Sequence, residues 1–111
     1  MNLTFSDYQA WAKTIAIYPV ISHPVIYPTL GLSDEAGEVS GKIKKIFRDK
    51  NGVFGPVDIS EIKKELGDVL WYLSQIATEL DISLEEVALA NQTKLDSRKN
   101  RGVLQGSGDN R

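Results

Sequence analysis

The chain has 111 residues, 41% of them hydrophobic and 25% charged, which suits one soluble domain whose core is modest and which gains from self-association. A net charge of −2 and a pI near 5.3 argue against a nucleic-acid polymer as partner, because a phosphate backbone demands a basic stripe. Cysteine is absent, which excludes disulfides, thiolate catalysis and zinc-thiolate sites.

Phe5, Tyr8, Ala12 and Ile15 recur at helical spacing and predict a first helix, capped by Thr4 or Ser6 and closed by Pro19. Met1 to Ala10 carries no basic flank followed by an apolar run, and no stretch of eighteen apolar residues occurs, so the expected location is the cytoplasm, away from membranes. Tyr18 to Pro28 holds Pro19, Pro24 and Pro28 among Tyr18, His23 and Tyr27 and reads as an ordered loop.

Leu32, Ala36, Val39, Ile43, Ile46 and Phe47 form the stripe of a second helix, ending at Asp49-Lys50-Asn51-Gly52, with Gly52 suited to the left-handed C-terminal position. Past Gly55 and Pro56, Asp58 with Glu61 reads as the cap of a third helix. It bears Ile62, Leu66, Val69, Leu70, Leu73, Ile76, Ala77 and Leu80, the strongest stripe in the chain. Ser83 with Glu86 makes a capping box for a fourth helix with Leu84, Val87, Ala88, Asn91 and Leu95 on its inner face. Gly102 to Arg111 is glycine-rich and not helical. No segment alternates long enough to be a strand, so the expected fold is all-α, one four-helix-bundle-like domain over residues 1–111.

A twelve-residue pattern occurs twice, from Leu32 to Ile43 and from Ile62 to Leu73. Glu35 aligns with Glu65, Gly37 with Gly67, Glu38 with Asp68 and Val39 with Val69. At about 100° per residue, the first acid of each pair lies about 80° from the middle of its helix's apolar stripe and the second about 140° on the same side. Antiparallel packing then brings four carboxylates together. Like charges that close raise one another's pKa unless a cation intervenes. Oxygen-only ligands favour magnesium, manganese or calcium, and magnesium commonly takes a few carboxylates together with phosphate oxygens, which points to phosphoryl chemistry. Gly37 and Gly67 each cost about 1 kcal/mol against alanine inside a helix, and a close helix approach would explain both. The plainer alternative is a non-catalytic helical oligomerisation module with solvent-exposed glutamates. A di-iron carboxylate bundle would need E-x-x-H on its helices, and the one histidine, His23, belongs to no such motif.

Asp34-Glu35-Ala36-Gly37-Glu38, a gap, then Glu65-Leu66-Gly67-Asp68 resemble the E-E-x-x-E and E-x-x-D motifs of the all-α nucleoside triphosphate pyrophosphohydrolases. That superfamily includes MazG, dimeric dUTPases, dCTP pyrophosphatases and phosphoribosyl-ATP pyrophosphohydrolase. Asn91-Gln-Thr-Lys94-Leu95 with Arg98 downstream is similar to the family's N-x-x-K-L and later arginine. Lys42-Ile-Lys44-Lys45 through Asp49 and the terminal Gly106-Ser-Gly-Asp-Asn-Arg111 resemble the compact single-domain MazG-like members. Asp34 departs from the usual leading glutamate.

The resemblance implies that Glu35, Glu38, Glu65 and Asp68 ligate Mg2+, with Mn2+ as a substitute, and that the metal bridges a nucleoside triphosphate. Water attacks the α-phosphorus to release a monophosphate and pyrophosphate, with Glu35 or Glu38 as general base. The expected role is house-cleaning of the nucleotide pool, with pool balancing left open, and the modest core makes a homodimer or a dimer of dimers the expected assembly.

Lys42, on the stripe of Glu35 and Glu38, is expected to neutralise the acids or hold a phosphate, and Tyr72, its counterpart after Asp68, to contact sugar or base. Asn91, in the middle of the fourth helix's apolar face, needs a partner. Lys94 and Arg98 are candidates for the phosphate chain. Trp11, Tyr18, His23, Tyr27 and Trp71 are available to stack on a base, although Trp71, opposite the apolar stripe of its helix, reads first as an interface residue.

Overall fold

The structure, a computed structural model, describes residues 2–111 and holds four helices: α1 (Phe5–Thr14), α2 (Ile26–Lys50), α3 (Pro56–Glu79) and α4 (Leu84–Asn100). Local chemistry sets where each begins. Thr4 Oγ1 accepts the Asp7 N–H at 3.0 Å while the Asp7 carboxylate accepts the Thr4 N–H at 3.3 Å, a reciprocal cap for α1. Helix α2 starts well before Leu32, so the expected loop through Pro28 ends at Val25. Pro28 lies in the first helical turn, where a missing N–H costs nothing because no carbonyl waits for it. The helix stops where Asn51 and Gly52 both turn left-handed, at φ 53° and 74°. Asp58 caps α3 from within its first turn, accepting the Gly55 N–H at 2.9 Å, and the helix itself starts at Pro56. Ser83 accepts the Glu86 N–H at 3.3 Å to start α4.

Lys50 meets Asp58 at 2.7 Å, Lys42 meets Glu65 at 3.6 Å, and Gly31 lies against Tyr72, so α2 and α3 run antiparallel as a long hairpin. Helix α1 packs across α3 and the start of α4, tied by one residue. Gln9 Nε2 donates to Thr78 Oγ1 and to the Ile82 carbonyl, at 3.1 and 2.9 Å, and Gln9 Oε1 accepts the Leu84 N–H at 2.8 Å. Helix α4 packs on α1 and α3 and not on α2.

The bundle therefore stays open within one protomer. Its radius of gyration is 17.0 Å, against about 13 Å for a compact domain of this length. Ala12, Ile46, Ala77 and Leu84 are the buried apolar residues, while Ile59, Leu66 and Leu73 of α3 and Leu80 just past its end, seven apart, are all exposed. Together with Ile62, Val69 and Ile76 they form an apolar seam of heptad spacing, the kind that packs against another helix. On α4, Val87 and Leu95 are exposed as well.

Residues 102–111 fold back on the end of α4 without helix. The Arg111 guanidinium donates to the carbonyls of Val103, Leu104 and Gly108, and Arg101 donates to the Arg111 main-chain oxygen at 2.7 Å. Among the described residues no helix is long and apolar enough to cross a membrane.

Candidate functional site

Glu35 on α2 and Glu65 and Asp68 on α3 bring one carboxylate oxygen each within 4.8 Å of the others. The antiparallel register of the duplicated pattern produces this meeting. Glu38, expected as a fourth member, is exposed and lies outside the group. Its angle of about 140° from the apolar stripe, against about 80° for Glu35, does not by itself set this. Asp68, with the same angle on α3, still reaches the group.

The acids crowd one another. The Glu35 carboxyl is pushed up to about 6, first by partial burial, then by a hydrogen bond with Glu65, then by the charges of Asp68, Glu65 and Asp34. Lys42 answers part of that charge, with its ammonium 3.6 Å from Glu65 and 4.0 Å from Glu61. The donor set fits a small divalent cation that prefers oxygen. Magnesium–oxygen bonds of about 2.0–2.1 Å put opposed ligand oxygens about 4 Å apart, so small side-chain movements close the cluster on an ion. No nitrogen or sulfur donor belongs to the group.

Within the protomer, Gly37 and Gly67 do not mark a close helix approach. A Cβ added at either would meet nothing within 4 Å. The close approach occurs at Gly31, a position that sequence reasoning passed over, where a Cβ would clash with the edge of the Tyr72 ring. Gly31 comes one turn before Glu35, so the packing that fixes Tyr72 also fixes the near end of the site.

Aromatic residues line the site's other side. Trp71 stands edge-on to Tyr72, with ring centroids 5.1 Å apart, and to Tyr18 at 6.1 Å, and Tyr18 stacks on Tyr27 at 5.5 Å. Trp71 is thus half-buried among this chain's own rings. A cavity of about 310 Å³ opens among Tyr18, Tyr27, Trp71 and Tyr72. Another, of about 400 Å³, lies between Tyr8 and Trp11 of α1 and Gly67, Asp68 and Trp71 of α3. The Tyr72 hydroxyl is raised by burial and then by Tyr27, Glu35, Asp34 and Asp68, and that of Tyr8 by burial and then by Asp68, so both sit in the field of the acids. Tyr8 was not foreseen. His23 is exposed and uses Nδ1 to accept the Val25 N–H at 3.0 Å, a turn contact.

Three residues of α4 behave otherwise than expected within the protomer. Asn91 is exposed rather than buried, so its amide has no desolvation to repair. Lys94 is exposed on a helix that does not touch α2. Arg98 is 5% exposed and donates to the Asp109 carbonyl at 2.6 Å, which ties it to the tail and away from the acids.

The family model described as the MazG nucleotide pyrophosphohydrolase domain matches residues 28–103. A relative named Gene 37 protein, from Mycobacterium phage L5, is 49% identical over 109 residues, covering 94% of this chain and 96% of its own. No solved structure matches. The matched span runs from the first turn of α2 past the end of α4 and includes all three clustered acids, while α1, with Tyr8 and Trp11, precedes it. On this match over most of its length, the chain belongs to the MazG nucleotide pyrophosphohydrolase family.

Proposed function

We propose that the chain hydrolyses nucleoside triphosphates, deoxynucleotides among them, to the monophosphate and pyrophosphate, with Mg2+ or Mn2+ held by Glu35, Glu65 and Asp68. The observation that carries this reading is the meeting of those three carboxylates across the hairpin, between an aromatic end and a lysine end. Along α2 the order is Tyr27, Gly31, Glu35, Lys42, and along α3, antiparallel, Tyr72, Asp68, Glu65, Glu61. A triphosphate laid along the hairpin with its nucleoside among Tyr72, Trp71 and Trp11 directs its outer phosphates toward Lys42.

A divalent cation in the acid cluster supplies charge neutralisation on the phosphate oxygens and a more acidic water. The residues do the rest. Glu35, whose carboxyl is pushed up to about 6 in the cation-free chain, accepts the proton of the attacking water, with exposed Glu38 one turn on as the second candidate base. The water oxygen bonds to the α-phosphorus, the bond to the α–β bridging oxygen breaks, and that oxygen leaves with pyrophosphate. Lys42 faces the charge growing on the leaving group.

Self-association belongs to the same proposal. The heptad seam on α3 and the exposed apolar residues of α4 call for a second copy, as a homodimer or a dimer of dimers. In such an assembly Asn91 and Lys94, remote from α2 in their own protomer, serve the partner's site. Sedimentation at micromolar concentration is expected to show no monomer, and a Leu66→Glu/Leu73→Glu variant is expected to dissociate. The proposed setting is the cytoplasm, and the proposed role is clearing unwanted nucleotides from the pool.

The test is a panel of canonical and modified nucleoside triphosphates incubated with magnesium, with products resolved. Monophosphate plus pyrophosphate is the expected pair for at least one substrate. Diphosphate plus phosphate, or no turnover across the panel, contradicts the proposal.

A further inference from the structure

Beyond the acid cluster, the far end of the hairpin carries a charge pattern that the net charge of the chain conceals. Residues 42–64 hold seven lysines and arginines (Lys42, Lys44, Lys45, Arg48, Lys50, Lys63 and Lys64) against three acids, a surplus of four cations in a chain whose net charge is −2. Between the last turns of α2 and the first turns of α3 lies a cavity of about 230 Å³, lined by Ile46, by Lys42, Lys45 and Lys50, and by Asp49, Asp58 and Glu61.

Each of those acids already has a partner. Asp49 takes both Arg48 donors at 2.8 Å. Asp58 binds Lys50 at 2.7 Å and caps α3 through the Gly55 N–H. Glu61 accepts from Lys64 at 3.1 Å. Lys45 makes no ion pair among the described residues, and Lys42 is held loosely, 3.6 Å from Glu65 and 4.0 Å from Glu61, both beyond good hydrogen-bond distance. Lys45 is thus the cavity lysine left for an anion that the protein does not supply, with Lys42 beside it shared between two acids.

Lys42 also joins the two sites. It lines the cavity and touches the acid cluster through Glu65, and along α2 it lies about 10 Å from Glu35 at a rise of 1.5 Å per residue. That span matches the reach of a diphosphate extending from a cation at Glu35.

We infer that this lysine-lined cavity is a diphosphate subsite, which receives the leaving pyrophosphate and binds free pyrophosphate from solution. The inference rests on the triphosphate reading of the acid cluster for its direction, but not for its chemistry, since a diphosphate needs only the cavity and its lysines. Lys45, the unpaired cation of the pocket, is the residue that reports on it.

The experiment is calorimetric titration of the full chain with inorganic pyrophosphate at 0.15 M salt with magnesium present, for the wild type, Lys45→Gln and Lys45→Arg. Inorganic sulfate and a nucleoside monophosphate serve as comparison ligands. Lys45 is exposed, and circular dichroism confirms that each variant is folded. The expected result is a pyrophosphate affinity about tenfold weaker in Lys45→Gln and restored in Lys45→Arg, the size of one charge-assisted contact, with monophosphate affinity unmoved. Where triphosphates are turned over, the constant for inhibition by pyrophosphate should rise by the same factor.

Equal pyrophosphate affinity in wild type and Lys45→Gln, no binding by the wild type, or sulfate binding as tightly as pyrophosphate would each overturn the inference. Turnover with unaltered pyrophosphate binding in Lys45→Gln removes the subsite and leaves the proposed reaction intact. Loss of pyrophosphate binding in Lys45→Gln in a protein that hydrolyses no triphosphate keeps the subsite and removes the reaction.

Discussion

Glu35→Gln is expected to lower triphosphate hydrolysis by about 10²- to 10⁴-fold, the range for losing a positioned acid–base group, and to abolish cation binding while the helices persist. The argument is electrostatic. Glu35 is the contribution of α2 to a three-carboxylate group otherwise built on α3, and glutamine keeps its shape while removing one formal charge and the proton acceptor.

The same substitution should act on stability with the opposite sign. In the cation-free protein, crowding by burial, Glu65, Asp68 and Asp34 raises Glu35 from the ordinary 4.5 to about 6. Between those values the folded chain binds more protons than the unfolded chain, so stability falls as pH rises through the window. Glu35→Gln removes that loss, and without cation at pH 8 it should unfold at a temperature equal to or above that of the wild type. Adding magnesium reverses the ranking. A ligand at a hundred times its Kd stabilises by about 2.7 kcal/mol, which the wild type gains and the variant does not. Thermal unfolding with and without magnesium at pH 5 and 8 checks both signs. A variant stabilised by magnesium as much as the wild type would contradict the placement of the ion.

Gly31→Ala is the substitution expected to damage the fold most per atom added. A Cβ at this position overlaps the Tyr72 ring, so the ring must leave its place between Trp71 and α2 or the hairpin must widen. Overpacking of this kind costs about 1–3 kcal/mol. The double variant separates the steric cause from any other. With Tyr72→Ala present there is no ring to strike, and alanine should then be preferred to glycine at a helical position by about 1 kcal/mol. Urea unfolding of the four members of the cycle is expected to show Gly31→Ala destabilising alone and stabilising beside Tyr72→Ala. Destabilisation of equal size in both backgrounds would mean that Tyr72 is not what requires the glycine.

What the sequence made legible was whatever period and register carry. The apolar stripes give four helices, and the constant offset between Glu35 and Glu65 predicts their meeting once α2 and α3 pair antiparallel. Proline misled at the start of α2, since Pro28 forbids a helix interior but not a first turn. Glu38 shares its angle of about 140° with Asp68, which reaches the group, so the helical angle does not separate the two. Reading Gly37 and Gly67 as contact glycines assumed that a glycine inside a helix must relieve a clash. The relieved clash is at Gly31, outside the repeat, and depends on a ring forty-one residues away that no local pattern announces.

Helix α4 was the least legible element. Its stripe of Leu84, Val87, Ala88, Asn91 and Leu95 describes a packed face, yet the protomer buries only the first of these fully. A stripe records that a face is covered, not which chain covers it. The same holds for Arg98, whose spacing suits a phosphate ligand and whose guanidinium is committed to the tail.

The central claim is that the carboxylates joined across α2 and α3 direct water to the α-phosphorus of a nucleoside triphosphate. It is tested most directly by turnover in ¹⁸O-labelled water with magnesium, followed by mass spectrometry of both products. The account predicts the label in the nucleoside monophosphate, none in pyrophosphate, and its loss from the monophosphate when Glu35→Gln replaces the wild type. Label appearing in pyrophosphate or inorganic phosphate, or labelling that persists undiminished in Glu35→Gln, would contradict it.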